Sequence, residues 1–100
     1  MSEPDKKQPQ LQIEIDDITA QGMYSNLAFI THSEQEFVLD FMFLSPQQPK
    51  AKVRARIITS PKHAKRFLAA LAENIQRYES RHGIIANDPT PPNGEPGLYN

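Results

Sequence analysis

The stretch Glu36-Phe37-Val38-Leu39-Asp40-Phe41-Met42-Phe43-Leu44 decides the fold. In an extended chain successive side chains point to opposite faces. Phe37, Leu39, Phe41 and Phe43 then form one wholly apolar row, and Val38, Asp40, Met42 and Leu44 form the other. This pattern predicts a central strand covered at least in part on both faces. Its one charge, Asp40, stands in mid-strand, where an unpaired carboxylate is expensive to bury. A cation is therefore expected beside it.

Upstream, residues 24–31 alternate with Leu27, Phe29 and Thr31 on one side and Asn26, Ala28 and Ile30 on the other. The polar link His32-Ser33-Glu34-Gln35 returns the chain into the central strand as a hairpin, with Phe29 expected beside Leu39 and Leu27 beside Phe41. Downstream, Ser45-Pro46-Gln47-Gln48-Pro49 reads as a Pro-bounded turn. The next strand, residues 50–59, sends Ala51, Val53, Ala55 and Ile57 inward and Lys50, Lys52, Arg54 and Arg56 outward. Matching the inward rows sets Phe41 by Val53 and Leu39 by Ala55. The same register puts Asp40 opposite Arg54, the expected structural ion pair.

Leu11, Ile13 and Ile15 alternate with Gln12, Glu14 and Asp16, a short edge strand with an acidic outer face. Gly22, within the polar and apolar mixture of residues 18–23, suggests a bulge or turn. Ser60-Pro61 is a helix start, since Ser60 can accept from free backbone N–H groups and Pro61 lacks the donor that the first turn leaves unpaired. Ala64, Phe67, Leu68, Leu71, Ile75 and Tyr78 follow at spacings of three and four as one apolar stripe. Gly83 is the candidate cap that ends the helix. The expected fold is α+β: a four-stranded antiparallel meander, β-β-β-β-α, with the long C-terminal helix packed on the Phe-rich face. Residues 1–10 are expected to be a disordered arm, 11–83 the single domain, and 84–100 a disordered Pro-rich tail.

Charge and composition narrow the functional classes. With 11 Lys and Arg against 12 Asp and Glu, the chain is nearly neutral, which argues against a strongly electrostatic binder of nucleic acid or anionic membrane. Its lack of cysteine excludes disulfides, thiolate zinc sites and thiol catalysis. No run approaches the roughly 20 apolar residues of a membrane span, and the N-terminus carries no apolar signal core, so a cytoplasmic protein is expected. A chain this short buries only roughly 60% of its unfolded surface, and a second copy is the expected cover for its remaining apolar face.

Candidate sites are few. His32, His63 and His82 fall in three different elements without ligand spacing, and no metal or other cofactor is expected. Ser60, Lys62, His63 and Lys65 at the helix start offer an anion the backbone donors of a first turn, but a plain cap with a solvated first turn is the better reading, since glycines for close approach are missing. Ser25 has no base within its motif and reads as a hydrogen-bonded corner, so an enzyme is not expected. The back of the sheet is expected to combine Ala28, Ile30, Val38 and Met42 with Arg54 and Arg56 into an interface. Single-strand readers stack bases on exposed aromatics, whereas here the phenylalanines of the sheet are expected to point the other way.

Two triplets, Tyr24-Ser25-Asn26 and His63-Ala64-Lys65, carry a resemblance. With Glu36-Phe37-Val-Leu-Asp-Phe41 and Ser60-Pro61 they make the chain similar to a family of small bacterial and archaeal proteins known as a domain of unknown function. The YSN and HAK triplets are its signatures. The likeness runs over about residues 11–78 and implies no assigned activity. The strand order and the pattern around Ser60-Pro61 also resemble the four-strand-plus-helix layout of SecB-type export chaperones. The expected function is a non-enzymatic, self-associating, protein-binding module, a dimer first, with an unidentified protein partner. The alternatives are a weak nucleic-acid binder using Lys50, Lys52, Arg54 and Arg56, and a SecB-like chaperone or adaptor.

Overall fold

The computed structural model describes residues 10–86 and 97–99. The chain's first helical turn follows Asp16, whose carboxylate accepts from the Thr19 backbone N–H at 2.6 Å and caps α1, Asp17–Gln21. That bond holds the Asp16 carboxyl below its ordinary pKa. Of the bulge or turn expected at residues 18–23, the chain forms a capped helical turn that ends at Gly22.

β1 (Leu27–His32), β2 (Phe37–Leu44) and β3 (Ala51–Thr59) form an antiparallel meander and are followed by α2, Pro61–His82. The class is α+β, and these three strands are the sheet proper. Residues 11–15, expected as a further strand, form none, and Leu11 and Ile13 are almost fully exposed. The edge of β1, where a preceding meander strand would pair, is taken by a two-residue segment from the far end of the chain, β4 (Leu98–Tyr99), giving the order β3-β2-β1-β4. Ile30 N donates to Gly97 O at 2.8 Å. Gly97 sits at φ +83, and a Cβ there would meet Ile30 O at 3.0 Å with the Phe29 ring just beyond, so only glycine fits without strain. Of the expected arm and tail, residues 1–9, 87–96 and 100 lie outside the described residues.

Two short-range features reset the expected register. Ser33 N donates to Glu36 O at 2.8 Å, and the Gln35 and Glu36 N–H groups both reach Ser33 Oγ, closing a two-residue loop at Glu34-Gln35. A two-residue loop pairs His32 with Phe37, hence Ile30 with Leu39, Ala28 with Phe41 and Leu27 with Met42. This is one residue away from the expected pairing, and a one-residue shift exchanges the faces of β1. Ala28 and Ile30 consequently share a face with Phe41 and Leu39, while Leu27 and Phe29 join Met42 and Asp40. In β3 an irregularity between Phe41 and Met42 leaves Arg54 as an extra residue, with Phe41 opposite Ala55 and Met42 opposite Val53.

Asp40 therefore lies opposite Arg56, and the expected Asp40–Arg54 pair is corrected. Arg56 Nε donates to Asp40 Oδ1 at 2.7 Å and its Nη2 to Oδ2 at 2.9 Å, a bidentate fork. Asp40 is 5% exposed, the most buried charge among the described residues, and shares its face with the two buried apolar side chains, Leu27 and Met42. The Arg56 hydrogen bonds lower the Asp40 pKa against the opposing effect of its desolvation, and raise that of Arg56 in turn.

α2 begins as its sequence dictates: Ser60 Oγ accepts from His63 N at 3.1 Å, and Pro61 takes the first position. Its last turn carries Arg81 and His82, suited to the negative end of the helix dipole, and Gly83 ends it at φ +99. The helix does not lie flat on the sheet as expected. Only its first half, as far as Leu71, borders the Phe-rich face, and the stripe stays open, with Leu68 65%, Ile75 41% and Tyr78 51% exposed.

Replacing Arg56 with Met should lower the midpoint of denaturant unfolding, because it leaves a buried carboxylate unpaired. The Asp40→Leu/Arg56→Met double variant should recover much of that loss, and Arg54→Met should leave Asp40 paired. A double-mutant cycle checks this, and additive losses would contradict it. Because the folded Asp40 pKa is depressed, the contribution of the pair should be full above the unfolded value near 3.8 and disappear as pH falls through the lower folded value. An acid titration of the Arg56→Met variant should lack that component.

Candidate functional site

Tyr24-Ser25-Asn26 forms a hydrogen-bonded corner against the end of β2. Ser25 Oγ lies 2.9 Å from Met42 O and 3.1 Å from Leu27 O, so its hydroxyl proton is committed to backbone carbonyls. Asn26 extends the ladder with its side chain: Nδ2 donates to Leu44 O at 3.0 Å, and Oδ1 accepts from Leu44 N at 2.8 Å. Its own N–H donates to Met42 O at 3.1 Å. A carboxamide fits because it carries a donor and an acceptor side by side, as a backbone peptide does. Tyr24 meets Phe43 edge-on, ring centroids 6.2 Å apart.

His63-Ala64-Lys65 occupies the first turns of α2 and straddles two adjoining clefts on the Phe-rich face. Toward β3, His63 and Phe67 face Leu39, Phe41 and Ile57. Toward β1, Ala64, Leu68 and Leu71 face Ile30, Phe37 and Leu39 across a cleft of about 540 Å³ whose walls are almost wholly apolar. Ala64 suits the close approach of helix and sheet because it is small. Ser60, the proposed anion contact, is engaged as the helix cap.

The residues expected to form one interface are divided between surfaces. Ala28 and Ile30 lie on the helix side of the sheet, and Val38 and Met42 on the other, where Met42 is buried. The basic row is likewise broken. Arg56 is held by Asp40, and Arg54, displaced by the irregularity in β3, sets its guanidinium 5.3 Å from the centroid of the Phe43 ring. Lys52 pairs with Phe43 across the strands, and Lys50 precedes β3. Among the described residues no three His, Cys, Asp or Glu side chains converge closely enough to hold a metal ion, and no helix is long and apolar enough to cross a membrane.

What emerges is an open apolar surface running from the Phe-rich face onto the stripe of α2. Sequence reasoning assigned the stripe to an internal core. Its six positions mark a face to be covered without indicating what covers it. Ile57 and Ile58 are adjacent in β3 and both are about half exposed, on opposite faces of the open edge strand.

The chain belongs to the family described as "protein of unknown function (DUF3467)", which it matches over residues 1–87. Comparison with curated proteins and with solved structures finds no match.

Asn26→Ala should strip both partners from the Leu44 backbone and cost roughly 1–3 kcal/mol of unfolding free energy. Ser25→Ala should cost less, roughly 1 kcal/mol, since each carbonyl it touches can keep other partners. Equilibrium unfolding of the two variants measures both.

Proposed function

We propose that this chain is a non-enzymatic, self-associating module of the cytoplasm, a dimer first, that binds a protein partner. The observation carrying this reading is the open apolar surface: among the described residues only Leu27 and Met42 are buried apolar side chains, while the helix stripe stands in solvent. So little burial is a poor basis for a stable isolated domain, and a contiguous exposed patch marks an interaction surface. The partner in this reading is an extended, acidic and apolar segment added along β3, the strand at the end of the sheet with no neighbour on its outer side among the described residues. Lys50 and Lys52 supply the complementary charge there.

The chain contains a segment of that chemistry. Leu11, Ile13 and Ile15 alternate with Glu14 and Asp16 and stand exposed. Offered by a second copy, it would complete the expected four-stranded sheet in trans. The same open face favours, as a second reading, a SecB-like chaperone or adaptor that holds extended apolar segments. The nucleic-acid alternative is weakened by the engagement of Arg54 and Arg56 with Phe43 and Asp40.

Light scattering at tens of micromolar should give a mass above the 11.4 kDa of one chain. A strict monomer would overturn self-association. A labelled peptide of residues 10–16 should bind on the order of tens of micromolar, weakening roughly tenfold in the Lys50→Glu/Lys52→Glu variant. Absence of binding at millimolar concentration would remove β3 as the docking edge.

A further inference from the structure

The open stripe of α2 has a register of its own. Ala64, Leu68, Leu71, Ile75, Tyr78 and His82 are spaced four, three, four, three and four, the seam of a two-stranded coiled coil. One flank of this seam carries Lys65, Ala72 and Glu79, and the other carries Phe67, Asn74 and Arg81. The Glu73–Arg77 ion pair, 2.8 Å, lies away from both, on the outer surface of the helix.

We propose that α2 is the dimer contact and that two copies pair it antiparallel, about a twofold axis beside Ala72. This rests on the self-association proposed above and specifies its geometry. Two helices running in opposite directions bring each flank against its own counterpart. One alignment satisfies every position together: Leu68 opposes Tyr78 of the second copy, Leu71 opposes Ile75, and Ala64 opposes His82. In that alignment Lys65 meets Glu79, twice by symmetry, Ala72 meets Ala72 where the helices pass closest, and Phe67 meets Arg81, a cation on an aromatic face. A parallel pair sets opposite flanks together, Phe67 against Ala72 and Asn74 against Glu79, and leaves both Lys65 and Glu79 without an opposite charge. Neither has an ion-pair partner among the described residues.

The sheet supports the same direction. Only the first half of α2 borders the apolar cleft at Ile30, Phe37 and Leu39, whereas Ile75 and Tyr78 lie beyond it and exposed. Antiparallel pairing brings Ile75 and Tyr78 of each copy over the first half of the other helix, beside that cleft. Each chain thus covers the surface its partner leaves open. Glu79 is already positioned for its role, since one carboxylate oxygen accepts from the Ile85 N–H at 3.0 Å and fixes the side chain at the helix end.

Charge reversal tests the alignment at exposed Lys65 and half-buried Glu79, and because Glu79→Lys also removes the bond from Ile85 N–H, circular dichroism of each variant checks that α2 is retained. Lys65→Glu and Glu79→Lys alone should each weaken the dimer roughly tenfold in sedimentation equilibrium, because two attractive pairs become two repulsive ones. The double variant should dimerise like the wild type, and an equimolar mixture of the two single variants should form the mixed dimer in preference to either homodimer. Because the natural chain has no cysteine, Lys65→Cys mixed with Glu79→Cys should give a 65–79 disulfide on oxidation, and neither variant alone should cross-link. Single reversals that dimerise as tightly as the wild type, or self-cross-linking of Lys65→Cys, would overturn the antiparallel register while leaving self-association standing. A wild-type chain that is strictly monomeric at tens of micromolar would overturn both, and would give the stripe to a different protein.

Discussion

The fork between Asp40 and Arg56 holds the middle strand to its neighbour, and most of the sheet's geometry depends on it. A carboxylate at the centre of β2 tolerates burial only with both oxygens engaged, and one guanidinium supplies two parallel donors at 2.7 and 2.9 Å. Shifting β3 by two residues keeps every apolar row on its own side and would pass any test based on hydrophobic pattern. The fork distinguishes these otherwise similar alignments, and with Arg56 held by Asp40 and Arg54 set over Phe43, it also determines which charges of β3 stay uncommitted among the described residues.

Much of this was legible in the sequence. The central strand, the meander, Ser60 as a cap and the helix as far as Gly83 follow from period, capping and turn chemistry that act over a few residues. The corner made by Ser25 was equally readable, since a serine beside a strand end with no base nearby has backbone to bond. Failures arose where one residue changes parity. The loop at Glu34-Gln35 is two residues long because Ser33 closes it with its own hydroxyl and N–H, and that moved Ala28 and Ile30 to the opposite face. Arg54, the extra residue of β3, made a clean alternation of basic side chains into two separate contacts.

Other failures have a longer range. A stripe such as that of α2 reads as internal core because amphipathic helices in single domains cover their own sheet. Whether the cover comes from the same chain or another depends on how the helix leaves β3, and the Thr59-Ser60-Pro61 junction does not disclose that angle. Residues 11–15 have the right alternation for a strand, but a strand requires a vacant neighbour, and Leu98 and Tyr99, more than eighty residues away, hold the edge of β1. Local pattern cannot register such competition.

That short closing segment makes the two borders of the sheet unequal. With Gly97 tucked beneath Phe29 and two residues laid along β1, one border is covered from Ala28 to Ile30, while β3 on the other keeps its outward peptide groups unpaired among the described residues. Sheets extend into fibrils when each added unit presents a fresh edge for the next, which requires both borders to be available. A subunit whose second border is partly covered offers a shorter edge to the next unit. The open edge of β3 therefore carries less hazard of polymerising, and loss of the glycine at position 97, by straining the segment that covers β1, would raise that hazard before it threatened the fold.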